Sequence, residues 1–188
     1  MGSQEFMQEI KNYVADALRD MHTSIPGKIE AFDPGECTAD VQPLGKYKKP
    51  DGELMDFPKL CNVPVWFPQA AGQKAAMAWP VKQGDECLLF FAEQALDCWR
   101  TGKETDADLR FDLTNAVAFV GLFAKPSPLV KKACDQDALI IEMGGQSIMM
   151  AQGKTTMVVD KLAIISAGNV SICAGGGISM NGTRIDLN

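Results

Sequence analysis

The chain has little of the histidine chemistry on which many active sites depend. It contains one histidine, His22, among 188 residues. A Ser–His–Asp or Cys–His site would need this residue. Because it falls near the end of a helical pattern, we expect an exposed or helix-capping side chain. The glycine run at 175–177 has neither a following helical pattern nor a phosphate-binding lysine, so it predicts no phosphate site.

Acidic residues are the next candidates for chemistry. Hydrolysis of a glycosidic bond needs two carboxyl groups about 5–10 Å apart in a cleft. The pairs Asp85/Glu86 and Asp106/Asp108 are close neighbours in predicted turns or loops, and nothing around them indicates a cleft. We therefore predict that the protein is not an enzyme and has no catalytic residue.

Cysteine spacing gives no metal site. The chain has no C-x-x-C pair and no cluster of cysteine with histidine, which are the usual zinc-binding patterns. Several cysteines lie in apolar runs, which favours reduced core thiols in a protein made in a cytoplasm. We expect no metal and no cofactor. The six cysteines are Cys37, Cys61, Cys87, Cys98, Cys134 and Cys173.

The charge balance argues against nucleic acid as a partner. The net charge is −6 and the sequence pI is about 4.8, whereas affinity for phosphate backbones comes mostly from clustered lysine and arginine. The one basic cluster, at 46–49, precedes Pro50 and Asp51 and predicts a solvated loop. Three tryptophans could stack on bases, but without interleaved arginine we favour packing in the core or between subunits for Trp66, Trp79 and Trp99.

Apolar spacing predicts a helix at the start of the chain. Residues 1–6 (MGSQEF) resemble an expression tag before a second start at Met7. Apolar side chains then recur at steps of three and four residues, and the pattern stops at Pro26-Gly27. We place an N-terminal helix at 7–25.

A β-rich region follows, from 26 to 124. Turn-separated runs predict five or six strands and an OB-fold-like β-barrel. The longest apolar runs, Leu88–Ala92 and Ala116–Ala124, are far shorter than the ~18–20 residues that cross a bilayer. Lys125-Pro126-Ser127-Pro128 predicts a linker over 125–136. The predicted strands are 28–32, 38–42, 60–67, 77–81 (an edge at best), 87–92 and 116–123.

The last fifty residues, from about Asp137, repeat. Aromatic residues are absent after Phe123. Eight residues separate Ile164 from Ile172, and eight separate Ile172 from Met180, which leaves strands of about five residues. Alternating apolar pairs recur between turns at Leu139/Ile141, Ile148/Met150, Met157/Val159, Leu162/Ile164, Val170/Ile172, Ile178/Met180 and Ile185/Leu187.

An eight-residue repeat cannot enclose a core by itself. Each strand offers two or three apolar side chains on one face. Their burial contributes about 1.5–3 kcal/mol each, whereas ordering the backbone costs about 1–2 kcal/mol per residue. Three copies about one axis would bury that face and pair the strand edges; a single-chain meander is the alternative.

We therefore predict a triple-stranded β-helix over 137–188, formed by three chains as a homotrimer. The predicted trimer core is Ile141, Ile148, Met157, Ile164, Ile172, Met180 and Ile185. The predicted distal tip is Arg184, Asp186, Leu187 and Asn188.

Five upstream motifs are specific as a set, within roughly Ile10 to Phe123. They are SIPGKIEAFDP at 24–34, TADVQP at 38–43, VPVWFP at 63–68, PVKQGDECL at 80–88 and RFDLTNAVA at 110–118. Together they resemble the central spike proteins of contractile-tailed bacteriophage baseplates.

The resemblance implies a mainly β protein with an N-terminal helix, an OB-fold domain and a trimeric β-helix. It implies a structural role in the virion tail baseplate after assembly in the host cytoplasm. The implied partners are tail hub or tube proteins. The spike would puncture the host outer membrane on sheath contraction, as do the spikes of R-type pyocins and type VI secretion systems.

One family feature is missing. Many members close the tip with an H-x-H motif, which in three chains holds an iron ion. His22 alone cannot form it, so we expect a blunt spike or a separate small tip-capping protein. A tail-associated polysaccharide depolymerase and an OB-fold nucleic-acid-binding module are the alternative functions.

Overall fold

A computed structural model describes residues 3–19, 21–49, 52–103, 109–122 and 124–184. The chain forms two compact units, Met1–Pro126 and Ser127–Asn188. It is mainly β with an N-terminal helix, as predicted. Unit 1 contains α1 (Ser3–Arg19), β1 (Ser24–Asp33), β2 (Thr38–Pro43), β3 (Lys46–Lys48), β4 (Leu54–Asp56), β5 (Leu60–Pro64), β6 (Gln69–Ala70), β7 (Ala75–Ala76), β8 (Glu86–Phe91), α2 (Leu96–Thr101) and β9 (Ala116–Val120). Unit 2 contains α3 (Pro128–Asp135), β10 (Ala138–Met143), β11 (Gln146–Ala151) and β12 (Lys154–Val158).

The main sheet of unit 1 is a curled half-barrel. Its five strands run in the order β5-β2-β1-β8-β9, and every neighbouring pair is antiparallel. Just beyond β5, Val65 forms a parallel bridge to Ala118 of β9. The Trp66 N–H donates to the Ala118 carbonyl at 2.9 Å. The two edge strands therefore meet, which satisfies backbone groups that an open sheet would expose.

Alternation along the strands builds the core of this half-barrel. In β8, Cys87, Leu89 and Phe91 are buried, while Leu88 and Phe90 face outward. Ile29 of β1 and Val41 of β2 are fully buried against them. Side chains of successive strand residues point to opposite faces, so these runs bury one face and leave the other available.

The N-terminal helix is shorter at its end than predicted. It stops at Arg19, and Ser24 and Ile25 belong to β1, where they pair with Phe90 and Leu89. The Pro26-Gly27 signal sets the predicted boundary at 25, although the helical apolar spacing ends at Met21. Pairing with β8 decides the conformation of Ser24 and Ile25. His22 consequently lies in the connection between α1 and β1 rather than in the helix.

Two short hairpins were not predicted. Strands β3 and β4 pair within the basic cluster, where Lys46 lies 3.1 Å from Asp56 and Lys49 lies 2.8 Å from Glu53. The cluster is therefore a hairpin with paired lysines, not the solvated loop expected. Strands β6 and β7 form the second hairpin, and the predicted strand at 77–81 is not formed. These strands have two or three residues and lack a buried face, so they carry no periodic signal.

The side-chain amide of Asn115 organises the β8–β9 connection. Asn115 is buried, with 2% of its surface exposed. Its Nδ2 group donates to the carbonyls of Ala92, Gln94 and Leu109 at 3.0, 2.8 and 3.1 Å. Its Oδ1 accepts from the Leu96 N–H at 2.9 Å, at the start of α2. A single side chain thus ties both ends of the connection together.

Unit 2 starts with a helix where a linker was predicted. Ser127 caps α3 by accepting from the Val130 N–H, and Pro128 occupies the first turn. Serine followed by proline is a helix-start signal, which the sequence analysis interpreted as part of a linker at 125–136. Strands β10, β11 and β12 then form an antiparallel meander. Gly144 and Gly145, both with positive φ, supply its first tight turn.

Beyond this meander the predicted strands are not paired within the chain. Residues 159–184 form no strand, and all of them except the half-buried Val159 are exposed. The first three predicted strands adopt the single-chain meander that the sequence analysis disfavoured, and the trimeric β-helix is not seen in the single chain. Tight glycine turns allow β10–β12 to pair with one another, and the later repeats have no strand of their own chain beside them.

Gly27 permits the closest approach in the half-barrel, and we expect Gly27→Ala to destabilise unit 1. An added Cβ would lie 2.7 Å from Val41 Cγ1 and 3.2 Å from both Cys87 Sγ and Leu89 Cδ1. Such overpacking lowers the free energy of unfolding by about 1–3 kcal/mol, measurable by urea titration. Lys28→Ala, at the exposed neighbouring position, is the control, with a change within about 0.5 kcal/mol. Wild-type stability of Gly27→Ala would contradict the packing described.

Removal of the Asn115 amide is the second test of unit 1. Asn115→Ala removes the side-chain partner of the Gln94 carbonyl and the Leu96 N–H and one of the two donors to the Ala92 and Leu109 carbonyls, so we expect a loss of about 1–3 kcal/mol of unfolding free energy. Asn115→Asp should be no better, because a buried carboxylate would face three carbonyl oxygens. Asn12→Ala on exposed α1 is the control. Equal stability of Asn115→Ala and Asn12→Ala would show that the amide does not organise the connection.

Candidate assembly surface

Three of the predicted core residues are brought together on one face of the meander. Ile141 of β10 is the register partner of Ile148 of β11, and Ile148 is the partner of Met157 of β12. Leu139 and Met150 form a neighbouring pair on the same face. We call the face defined by Leu139, Ile141, Ile148, Met150 and Met157 the spike face.

The spike face is apolar and largely uncovered in the single chain. Ile141 is 50% exposed and Met157 is 48% exposed, while Ile148 in the middle strand is half-buried. Large apolar side chains aligned in this way on a soluble protein mark a contact surface. The alternation read from the sequence correctly predicts which residues share the face.

The opposite face of the meander has a partial cover within the chain. Helix α3 contacts β10, and Lys132 Nζ lies 3.7 Å from Glu142 Oε2. Ile140, Met149 and Thr156 point to that side, and each is half-buried. The two faces therefore differ: one has a helix beside it and the other does not.

The remaining predicted core residues extend the apolar series without being brought together. Ile164, Ile172 and Met180 are 67%, 60% and 57% exposed. Arg184 of the predicted tip is also exposed. Ile185 and the tip residues Asp186, Leu187 and Asn188 lie outside the described residues. In one chain, then, residues 159–184 present apolar side chains and form no strand.

His22 has a structural environment. Its ring lies 5.8 Å from that of Phe57 and 5.7 Å from that of Phe91, measured between centroids. Its backbone N–H donates to the Phe111 carbonyl at 3.1 Å. The histidine is thus half-buried between aromatic rings rather than exposed or helix-capping. Close to it, hydrogen bonds from Thr114 hold the pKa of the Asp112 carboxyl below its ordinary value.

The acidic pair Asp85/Glu86 serves the backbone. Asp85 Oδ2 accepts from the Lys82 N–H at 2.8 Å and closes the turn before β8. Glu86 Oε2 accepts from the Ala124 N–H at 3.0 Å. Asp106 and Asp108 lie outside the described residues. Asp85 and Glu86 both line one open cleft together with Trp79 and Lys125, which the sequence did not indicate, but each carboxylate already accepts a hydrogen bond from a backbone N–H.

The cysteines are less buried than predicted. Cys87 is a core thiol, and burial raises its pKa to about 11. The other five are free and exposed in the single chain, contrary to the expected core positions: Cys37, Cys61, Cys98, Cys134 and Cys173. An apolar run marks Cys87 correctly because it lies on the inward face of β8, whereas Cys173 lies in the unpaired repeat.

The tryptophans do not form one stacking platform. Trp66 stacks on Phe119 at 5.1 Å, and Phe119 meets Phe90 edge to face at 4.9 Å. Trp79 instead contacts Phe67. Trp99 is 74% exposed on α2. The Trp66–Phe119–Phe90 stack, on the outside of the half-barrel, was not found from the sequence because its members are far apart in the chain.

Among the described residues, no group of three or more His, Cys, Asp or Glu side chains is placed to hold a metal ion. No helix in the described ranges is both long enough and apolar enough to cross a membrane.

Comparison with known proteins assigns unit 1 to a family. No curated protein matches the chain. The family described as Phage protein Gp138 N-terminal domain matches residues 25–121, which is just over half of the chain and spans the half-barrel from β1 to β9. This match supports a structural protein of a phage. The chain belongs to the family of the phage protein Gp138 N-terminal domain.

Proposed function

We propose that the protein is the central spike of a contractile phage tail baseplate, a homotrimer that punctures the host outer membrane on sheath contraction. The observation that carries the proposal is the uncovered spike face, continued by the apolar repeat of 159–184, which forms no strand in the single chain. Membership of a phage protein family supports the setting. The localisation that follows is the virion tail, at the baseplate.

The half-barrel fits the proposed OB-fold. Its five sheet strands in chain order are β1, β2, β5, β8 and β9. Strand β1 pairs with β2 and with β8, β2 pairs with β5, and β8 pairs with β9. Just beyond β5, Val65 forms a parallel bridge to Ala118 of β9. This connectivity is that of a partly open five-stranded barrel of the OB type, and three such barrels would form a collar that joins the spike to tail hub or tube proteins.

A trimer resolves the exposed features of unit 2 together. Around a threefold axis, each spike face packs against two copies of itself and becomes dry. The strands of 159–184 gain neighbouring chains as hydrogen-bonding partners, which satisfies N–H and C=O groups that cannot stay unpaired in a dry interior. Closed pairing also leaves few free edges. A thin rod built in this way resists bending and can transmit an axial load.

The proposed role is mechanical, so it requires no catalytic residue and no cofactor. A tip iron bound by histidine does not fit the residues present, because His22 lies among aromatic rings of unit 1. We propose a separate small protein at the tip as a further partner. The acidic net charge of −6 disfavours nucleic acid.

Ile172→Asp tests the trimer directly. The variant would place three carboxylates together in a dry core, which costs several kcal/mol for each unpaired charge. We expect the trimer to dissociate, as measured by light scattering after size-exclusion chromatography.

The matched control is Ser171→Asp. It adds the same charge one residue earlier, where alternation directs the side chain to the outside of the spike. This variant should remain a trimer. A stable trimer for Ile172→Asp, or equal damage from both variants, would show that the predicted inward face is wrong.

The same pair tests the role in a virion. In the phage that encodes this protein, Ile172→Asp should reduce plaque formation, while Ser171→Asp should leave it at the wild-type level. Normal infection by the Ile172→Asp phage would contradict a spike whose stiffness depends on a dry core.

A further inference from the structure

Helix α1 carries a second unpartnered apolar surface, far in sequence from the spike. Its apolar side chains recur at three- and four-residue steps and form one stripe. We call this the α1 stripe and define it by Met7, Ile10, Tyr13, Val14 and Leu18. These five side chains are between 40% and 69% exposed, so nothing in the described part of the chain covers them. The stripe begins at Met7, so it does not depend on the tag-like residues before it.

The opposite face of α1 is polar. Gln8 Nε2 donates to Asn12 Oδ1 at 3.0 Å on that side, and Glu9 lies beside them. A helix of 17 residues gains little stability in water from its own backbone, and helices of this length are usually held by packing of the apolar face. The amphipathic pattern therefore calls for a partner that covers the stripe.

We propose that α1 packs against α1 of two other copies of this chain, as a parallel three-helix bundle at the N-terminal end of the trimer. This inference rests on the proposed trimer, which would bring three identical helices to one axis in the same direction. The sequence supplies the required register, because Met7 and Val14 occupy a positions and Ile10 and Ala17 occupy d positions of a heptad.

The choice of residues within the heptad favours more than two strands. Two-stranded coiled coils prefer a β-branched residue at a and leucine at d. Here β-branched residues occupy both an a position, Val14, and a d position, Ile10, a combination that shifts the preference toward three or four strands. Tyr13 and Leu18 widen the stripe on either side of the seam, and a wider apolar surface suits a helix that has two neighbours.

Each contact between two helices would be small. Five side chains at roughly 60–120 Å² of apolar surface each give about 300–600 Å² per helix. Because each helix divides this surface between two neighbours, each pairwise contact buries about 300–600 Å², which is less than the roughly 1,200–2,000 Å² of stable specific interfaces. The helices alone would therefore not hold three chains together. Tethering by the spike offsets this, because linked contacts form at a high effective concentration. A membrane surface is less suitable, because Glu9 and Asp16 offset the charges of Lys11 and Arg19, whereas helices that bind anionic lipids are rich in lysine and arginine.

Site-specific photo-cross-linking of the full chain tests the inference. Tyr13, on the stripe, is replaced by p-benzoylphenylalanine, which is also aromatic and reacts with neighbouring C–H bonds on illumination. A second protein carries the same group at Asn12, on the polar face. We expect covalent dimers and trimers, at two and three times the chain mass of 20.3 kDa, from position 13 and none from position 12. Adding Val14→Asp should abolish the cross-links at position 13.

Light scattering on the same samples separates this inference from the proposed function. A trimer that forms cross-links from position 13 and none from position 12 supports the helix bundle. A trimer without cross-links, or with equal cross-links at positions 12 and 13, overturns the bundle and leaves the proposed spike intact. A monomer overturns both.

Discussion

The structure depends on one constraint: an eight-residue β-repeat cannot satisfy its own backbone or bury its own apolar face. Strands of about five residues carry too few side chains to enclose a core. In the chain, β10–β12 pair with one another but leave Ile141, Ile148 and Met157 aligned on an uncovered face. Residues 159–184 have no ladder at all. The proposed trimer would supply the missing strand partners and cover this face.

Unit 1 meets the same constraint within a single chain. Its edge strands meet at Val65 and Ala118, its core is closed by Ile29, Leu89 and their neighbours, and Asn115 ties down its longest connection. A self-contained domain is suited to hold a fixed position in a baseplate. Its uncovered apolar surfaces, the α1 stripe and the stack of Trp66, Phe119 and Phe90, lie outside that core and are available to partners.

Sequence periodicity predicted the parts of the fold that bury one face. The β-rich region and the shared face of Ile141, Ile148 and Met157 followed from side-chain spacing. The uniformly apolar run of β8 predicted a strand but not which of its side chains point inward. Periodicity could not predict features set by contacts distant in sequence. Ser24 and Ile25 were predicted as helix but form strand because they pair with β8. The four hydrogen bonds of the Asn115 side chain reach residues up to 23 positions away. The β3–β4 hairpin has no buried face, and Ser127-Pro128 was interpreted as a linker although it caps α3. Within the assembly surface, the sequence identified which residues are apolar and aligned, and it cannot itself show which chain covers them.

The mass of the full chain in solution tests the central claim most directly. Light scattering at micromolar concentration should give three times the chain mass of 20.3 kDa, because only other chains can pair the repeat and cover the spike face. A monomer at that concentration would contradict the account, since it would show that the exposed repeat of 159–184 is the stable state of this protein.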